Sequence, residues 1–187
     1  MSTSQVIILA NGEALDGPMV RRALDATNRA YVIAADGGAR LAPLFNLPIH
    51  TLIGDMDSLS PSEVDAIAAA GADVLRFPAE KAETDLELAL YHAVEHGAKW
   101  IRVIGATGGR IDQTLANMYL LALPHLEGVD VRFVAGKQDI RLLRSGEYEF
   151  VGAKGDTLSL LPLTPSVDNI FTENLYYPLH GESLVLG

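Results

Sequence analysis

Short apolar runs that alternate with helical segments constrain the fold of this chain more than any other feature. The runs are nearly continuous in apolar residues, which is typical of strands buried on both faces of a parallel sheet. The alternation continues to about residue 135 and predicts a Rossmann-like, doubly wound α/β domain with a mostly parallel sheet. The predicted strands are 5–10, 31–35, 49–53, 73–77, 100–104 and 129–135.

Helix start signals lie between these runs. Residues 60–63 read Ser-Pro-Ser-Glu, which predicts a helix whose N-cap is Ser60 and whose capping box is closed by Glu63. Thr84 and Glu87 have the same spacing at the start of a strongly periodic segment. The predicted helices are 18–26, 39–45, 61–71, 85–96 and 111–123.

The pattern changes after residue 136. Short β-rich runs separated by Gly, Pro and Asn turns replace the alternation, and none of them has helical length. We therefore predict two domains: an α/β domain over 1–136 and a small antiparallel, sandwich-like β domain over 137–187. The strands predicted for the second domain are 140–143, 148–151, 157–161, 167–171 and 175–179.

Composition excludes several classes of function. The 187 residues include no cysteine, which excludes disulfides, zinc–thiolate sites and cysteine nucleophiles and suits a reducing compartment. Acidic residues outnumber basic ones by 24 to 14, which argues against a protein that follows a nucleic-acid backbone. The first apolar run is short and has no basic residue before it, so we expect a cytoplasmic protein that does not enter a membrane.

Two aspartates follow the third predicted strand with one residue between them. In an extended segment residues i and i+2 point the same way, so Asp55 and Asp57 can converge. Like charges held that close repel unless a proton or a cation lies between them, and carboxylate oxygens favour Mg²⁺ shared with substrate phosphates. The alternative is a polar turn in which Asp57 or Ser58 hydrogen-bonds to nearby backbone N–H groups.

Acidic and glycine residues also follow the neighbouring predicted strands. Open α/β sheets bind ligands beyond the carboxyl ends of their strands, so these residues are expected at one edge of the sheet. Asp36 follows the second strand and is succeeded by Gly37 and Gly38. The segment 81–85 follows the fourth strand, and the segment 105–112 follows the fifth.

The glycine-rich segment from Gly105 to Arg110 lies between a strand and a helix, where backbone N–H groups and the helix dipole favour an anion. It lacks the Gly-Lys-Ser/Thr ending of a Walker loop. Arg110 could bind a phosphate through two hydrogen bonds, and Lys81 could act as a point charge. Asp85 and Asp112 each lie near a helix start, where stabilisation of the helix is an alternative role.

Together these motifs resemble the thiamine pyrophosphokinase family. Asp-Gly-Gly at 36–38, Gly-Asp-Met-Asp-Ser at 54–58, Lys-x-x-Thr-Asp at 81–85 and Gly-Gly-Arg-Ile-Asp-Gln at 108–113 occur in that family's order and spacing. The similarity continues through Asn117 and into residues 155–163, which resemble the start of that family's β-rich domain.

The resemblance implies transfer of the pyrophosphoryl group of ATP to the hydroxyl of thiamine, giving thiamine diphosphate and AMP, with Mg²⁺ as cofactor. The positions that match Mg²⁺-holding residues, and that are expected to be catalytic, are Asp36, Asp55, Asp57 and Asp85. Asp112 is also expected to be catalytic. The positions expected to bind ATP are Gly37, Gly38, Lys81, Thr107, Gly108, Gly109, Arg110 and Gln113. No residue is singled out for thiamine.

The same resemblance implies a homodimer, and it implies that the β-rich domain is truncated at its C-terminus, because the family continues beyond the equivalent of Gly187. Three other interpretations stay open at this point. One is a pyrophosphokinase acting on another hydroxymethyl heterocycle, such as a pterin. The others are a regulatory module that binds Mg–ATP without turnover and a Mg²⁺-dependent phosphohydrolase.

Overall fold

A computed structural model describes residues 4–27 and 29–187 of the chain. It divides the chain into two compact units, one extending to Arg144 and the other covering Ser145–Gly187. The residues of the predicted site all lie in the first unit.

The first unit is built on a seven-stranded sheet. Its strands are β1 (Gln5–Leu9), β2 (Tyr31–Ala35), β3 (Thr51–Gly54), β4 (Asp73–Arg76), β5 (Trp100–Ile104), β6 (Asp130–Ala135) and β7 (Gln138–Ile140). They are arranged in the order β4-β3-β2-β1-β5-β6-β7. The first six pair in parallel, and β7 pairs antiparallel with β6. The strand order reverses between β1 and β5, which places a ligand-binding crevice at their carboxyl ends.

Helices cover both faces of this sheet, which confirms the predicted doubly wound architecture. They are α1 (Pro18–Asp25), α2 (Pro61–Ala69), α3 (Asp85–Glu95) and α4 (Ile111–Leu120). Alternate residues of β1 point to opposite faces: Ile8 packs with the α3 residue Leu90, and Ile7 packs with the α1 residue Val20. No helix in the described part of the chain is long and apolar enough to cross a membrane.

The helix signals are confirmed with local differences. Ser60 and Glu63 form the predicted capping box. Thr84 caps α3 by accepting from the Glu87 N–H at 3.2 Å, but the Glu87 carboxylate accepts from the Tyr91 hydroxyl at 2.8 Å. Residues 39–45 do not form the predicted helix. Two 3₁₀ segments, Asp36–Leu41 and Pro43–Phe45, replace it, since proline has no N–H to continue a helical ladder.

The second unit contains an antiparallel pair of strands, β8 (Ser166–Phe171) and β9 (His180–Val185). Its antiparallel character is confirmed, but the strands predicted at 148–151, 157–161 and 175–179 are wrong, and the run predicted at 140–143 contributes only to β7 of the first sheet. No second sheet layer occurs within 145–187. Apolar runs become strands only when partners cover them, and here Leu161 and Tyr177 are each 82% exposed.

Candidate active site

Three carboxylates converge at the carboxyl ends of β2 and β3. Asp36, Asp55 and Asp57 each offer one oxygen, and these oxygens all lie within 4.8 Å of one another. Among residues 4–27 and 29–187 this is the only cluster of three or more acidic, histidine or cysteine side chains with that geometry. The predicted convergence is therefore present in the fold.

Asp36 is the most confined member of this cluster. It is only 4% exposed, and its Oδ1 atom is buried without a hydrogen-bond partner among the described residues. Its backbone φ is 44°, a left-handed value that is uncommon outside glycine and that clusters at functional sites. A buried carboxylate oxygen without a partner is unfavourable, so the arrangement is one that a cation would stabilise.

Asp55 and Asp57 converge through a turn, not through the extended segment that the sequence predicted. Met56 between them has φ 66° and is buried, and the Asp57 N–H donates to Asp55 Oδ1 at 3.0 Å. This is a polar turn of the kind considered as the alternative interpretation, but the accepting side chain is that of Asp55 and not that of Asp57 or Ser58. The two interpretations are compatible, because the turn itself brings the carboxylates together.

Gly54, at the end of β3, makes room for this convergence. A Cβ atom at this position would lie 3.0 Å from Asp85 Cγ and 3.1 Å from Asp36 Cβ. Any side chain would therefore press on two of the acidic residues. Gly54 was assigned no role from the sequence. Its position directly before Asp55, at the end of a predicted strand, could have indicated a place where side chains pack closely.

Lys81 and Asp85 lie beside the three carboxylates. Lys81 Nζ is 3.0 Å from Asp85 Oδ1 and 4.0 Å from Asp55 Oδ2, and it donates to the Pro78 carbonyl at 3.2 Å. Asp85 Oδ1 is buried and, despite that ion pair, accepts no well-aligned hydrogen bond from the described residues. Burial raises the pKa of the Asp85 carboxyl, Lys81 opposes the shift, and the charges of Asp55 and Asp36 add to it.

The glycine-rich turn follows β5 and leads into α4. Its Thr107 Oγ1 is buried without a hydrogen-bond partner among the described residues, and the Gly108 N–H donates to Thr114 Oγ1 at 3.2 Å. Arg110 pairs with Asp112, and both side chains are exposed, at 72% and 63%. The hydrogen bond from Arg110 lowers the pKa of Asp112.

Asp112 is thus paired at the surface and lies outside the cluster of three carboxylates. Gln113, Gly108 and Gly109 lie in the same stretch, Gln113 exposed in the first turn of α4. The structure brings the predicted residues together as two groups. One group contains the clustered aspartates and Lys81, and the other is the turn 107–113.

Gly37 and Gly38 permit close packing against the end of β1. A Cβ atom on Gly38 would lie 2.1 Å from the Leu9 carbonyl oxygen, and one on Gly37 would lie 2.5 Å from Asn11 Oδ1. Direct contact of these glycines with ATP stays a prediction.

An open groove of about 330 Å³ adjoins the glycine-rich turn. Sequence reasoning missed several of its residues, because nothing in their local sequence marks them; these are Glu13, Leu15, Ile111, Thr114, Met118, Gln138 and Ile140. A larger cavity of about 440 Å³ lies beside α3 and contains none of the aspartates.

Comparison with known proteins decides the family. The family described as "Thiamin pyrophosphokinase, catalytic domain" matches residues 24–133, a range that includes both groups of site residues. The chain belongs to this family. It is 30% identical over 142 residues to the thiamine pyrophosphokinase of Bacillus subtilis (strain 168). That alignment covers 75% of this chain and 66% of the relative, just under two thirds of its length.

Solved structures of family members have the same fold. The crystal structure of thiamine pyrophosphokinase from Bacillus subtilis matches with a TM-score of 0.83 at 27% identity, over 98% of this chain and 85% of that chain. A thiamin pyrophosphokinase family protein from Enterococcus faecalis matches with a TM-score of 0.77 at 29% identity, with the same coverage. The resemblance inferred from the motifs is therefore confirmed, and with it membership of a family of diphosphotransferase enzymes.

Proposed function

We propose that this chain transfers the pyrophosphoryl group of ATP to thiamine, giving thiamine diphosphate and AMP. The thiamine hydroxyl oxygen would form a bond to the β-phosphorus as the bond from that phosphorus to the bridging oxygen breaks. AMP would leave with the bridging oxygen, and the hydroxyl proton would pass to water. The observation that carries the proposal is the converging oxygens of Asp36, Asp55 and Asp57, in a chain of this family.

The residues present fit a hard divalent cation, since a buried carboxylate oxygen without a hydrogen bond lies in a cluster of oxygen ligands. We propose that Asp36, Asp55 and Asp57 hold Mg²⁺, with Asp85 alongside. When bound, Mg²⁺ would neutralise phosphate charge and polarise phosphoryl oxygens.

The other predicted site residues are proposed to bind and orient ATP. Lys81, held among the acidic residues, would offer its ammonium group to a phosphoryl oxygen. The backbone N–H groups of the turn would bind phosphate, and Arg110 would leave Asp112 to do so. The residues proposed for ATP are Gly37, Gly38, Lys81, Thr107, Gly108, Gly109, Arg110 and Gln113; Asp112 is proposed as catalytic.

The predicted domain roles are carried forward as part of this proposal, with ATP binding in the domain predicted over 1–136 and thiamine binding in the domain predicted over 137–187. In the structure the division falls after Arg144 and not after residue 136, because β7 joins the first sheet. We also propose a cytoplasmic homodimer. An exposed apolar face of α4 supports the dimer, since Ile111, Leu115 and Tyr119 are spaced four residues apart and are 69%, 51% and 64% exposed. The absence of cysteine suits the cytoplasm.

The test is chromatography of nucleotides and thiamine species after incubation of the purified chain with ATP, Mg²⁺ and thiamine. We expect AMP and thiamine diphosphate in equal amounts, only when all three are present, and no product from the Asp57→Ala variant. ADP with thiamine monophosphate would overturn the pyrophosphoryl assignment. Activity with a pterin alcohol alone would change the acceptor, and ATP binding without any product would indicate a regulatory module.

A further inference from the structure

Asn11 connects the end of β1 to one of the three carboxylates. Its Nδ2 group donates a hydrogen bond to Ser58 Oγ at 3.2 Å, and Ser58 Oγ donates to Asp57 Oδ1 at 3.1 Å. A continuous chain of hydrogen bonds therefore runs from the first strand to the Asp57 carboxylate. Asp57 is itself exposed, so its side chain depends on such contacts for a fixed orientation.

The same amide lies against the segment that carries Asp36. A Cβ atom on Gly37 would lie 2.5 Å from Asn11 Oδ1 and 2.6 Å from Asn11 Nδ2, so the Asn11 amide lies directly against Gly37. Asn11 thus contacts both of the loops that bring aspartates into the cluster, the one after β2 and the one after β3.

We propose that Asn11 is a positioning residue for the Asp57 carboxylate and acts through the Ser58 hydroxyl. The hydroxyl has one proton, and because it accepts from the Asn11 amide it can give that proton to Asp57. The hydrogen bond fixes the direction in which the carboxylate presents its remaining lone pairs. Groups that orient a metal ligand in this way typically change metal affinity or activity by about 10-fold to 100-fold when they are removed. The inference rests on the proposed Mg²⁺ site.

The test is a double-mutant cycle of Asn11→Ala, Ser58→Ala and the double variant, read as the shift of the melting temperature on titration with Mg²⁺ alone. Each single variant is expected to raise the dissociation constant for Mg²⁺ by about 10-fold, as obtained from the logarithmic growth of the stabilisation with Mg²⁺ concentration. The double variant is expected to show about the same 10-fold change, because the two residues act in one chain. In the activity assay, saturating Mg²⁺ should restore most of kcat to the single variants.

Gln5→Ala is the matched control, since it removes an amide side chain at the opposite end of the same strand. Its Mg²⁺ response should equal that of the wild type. A wild-type dissociation constant for Mg²⁺ in Asn11→Ala would overturn the inference. A double variant whose dissociation constant is raised by the product of the two single effects would overturn it as well. If the melting temperature of the wild type did not respond to Mg²⁺, both the proposed metal site and this inference would be wrong. The two outcomes for the Asn11→Ala and double variants would contradict this inference but leave the proposed metal site intact.

Discussion

The two groups of site residues differ in how far they are formed before any ligand arrives. On one side, Asp36 is almost fully buried and Lys81 is held among acidic residues with 11% of its side chain exposed. On the other side, Arg110 and Asp112 are mostly exposed and bind each other. We refer to these as the acidic side, comprising Asp36, Asp55, Asp57, Lys81 and Asp85, and the turn side, comprising residues 107–113.

The difference indicates separate contributions to the proposed reaction. On the acidic side, four aspartates and Lys81 already lie close together in the fold. Little reorganisation is therefore needed when a cation and phosphate bind. On the turn side, Arg110 must exchange its partner Asp112 for the ligand, and an exposed ion pair of this kind contributes only about 0–1 kcal/mol. Changes on the acidic side should therefore reduce turnover, and changes on the turn side should mainly weaken ATP binding.

Among the variants that compare the two sides, Asp36→Asn is expected to have the largest effect. Asparagine tolerates the left-handed backbone at this position, so the fold should be kept while one charge leaves the cluster. We expect kcat to fall by on the order of 1000-fold, since a charge-stabilising group in the site is lost. The free energy of unfolding without metal should rise by about 1 kcal/mol, because repulsion within the cluster is relieved. Steady-state kinetics and thermal denaturation measure the two quantities.

Asp65→Asn on the exposed surface of α2 is the control, and neither quantity should change. If Asp36→Asn kept near-normal kcat, the acidic side would not be the reaction centre. The proposed difference in role between the acidic side and the turn side would then be wrong.

Lys81→Met should have the next largest effect. Methionine keeps most of the length of the side chain but removes the charge that lies 3.0 Å from Asp85. We expect kcat/KM for ATP to fall by about 100-fold, the lower range for loss of one charge-stabilising donor. Lys99→Met, at the beginning of β5 and thus at the other end of the sheet, should leave kcat/KM unchanged. An equal loss in both variants would point to net charge and not to the position of Lys81.

Arg110→Ala tests the turn side. Loss of a charged hydrogen bond of about 1.5 kcal/mol should raise KM for ATP by about 10-fold and leave kcat nearly unchanged. Stability should change little, because the pair with Asp112 is exposed. Leu44→Ala, at another exposed position, serves as the control. A large loss of kcat in Arg110→Ala would place Arg110 in the transition state and remove the distinction between the two sides.

The sequence predicted that the residues of the acidic side lie near one another because the features that position them are local. Strand ends, a capping box and aspartates next to glycines can all be read within a few residues. The conformation of Asp55 to Asp57 could not be read in this way, because a left-handed Met56 has no sequence signal of its own. The contact of Asn11 with Gly37 and Ser58 joins three segments that are distant in the chain, and it follows only from the strand order.

In the second unit, sequence composition predicted strands that the structure does not contain. The runs around Val151 and Leu161 have strand-like composition, yet these two residues are 77% and 82% exposed and neither run forms a strand in the described part of the chain. Strand propensity reflects packing against neighbouring strands, so composition alone cannot say which runs will find partners. The parallel sheet was predictable because each strand is covered by helices that the same stretch of sequence encodes.

The smallest effect is expected from Glu63→Gln, which asks whether a surface contact contributes to the order of the acidic side. Glu63 accepts hydrogen bonds from Arg40, in the 3₁₀ segment that begins at Asp36, and from Ser60, just after the Asp57 turn. The hydrogen bonds from Arg40, then those from the Ser60 N–H and hydroxyl, lower the pKa of Glu63 from its ordinary value of 4.5 to about 2. Since the folded-state pKa is the lower one, the ionised carboxylate favours the folded state.

The stabilisation by Glu63 should therefore be present above pH 4.5 and be lost as the pH falls toward about 2. Melting temperatures of the wild type and Glu63→Gln should differ by about 2 °C at pH 7 and converge in that acidic window, whereas Glu127→Gln should follow the wild type throughout. Activity at pH 7 should be unchanged. If Glu63→Gln instead lost as much activity as the Asp36 and Asp57 variants, the arrangement of the carboxylates would depend on this surface contact. The acidic side would then not be positioned by its own strands and turns alone.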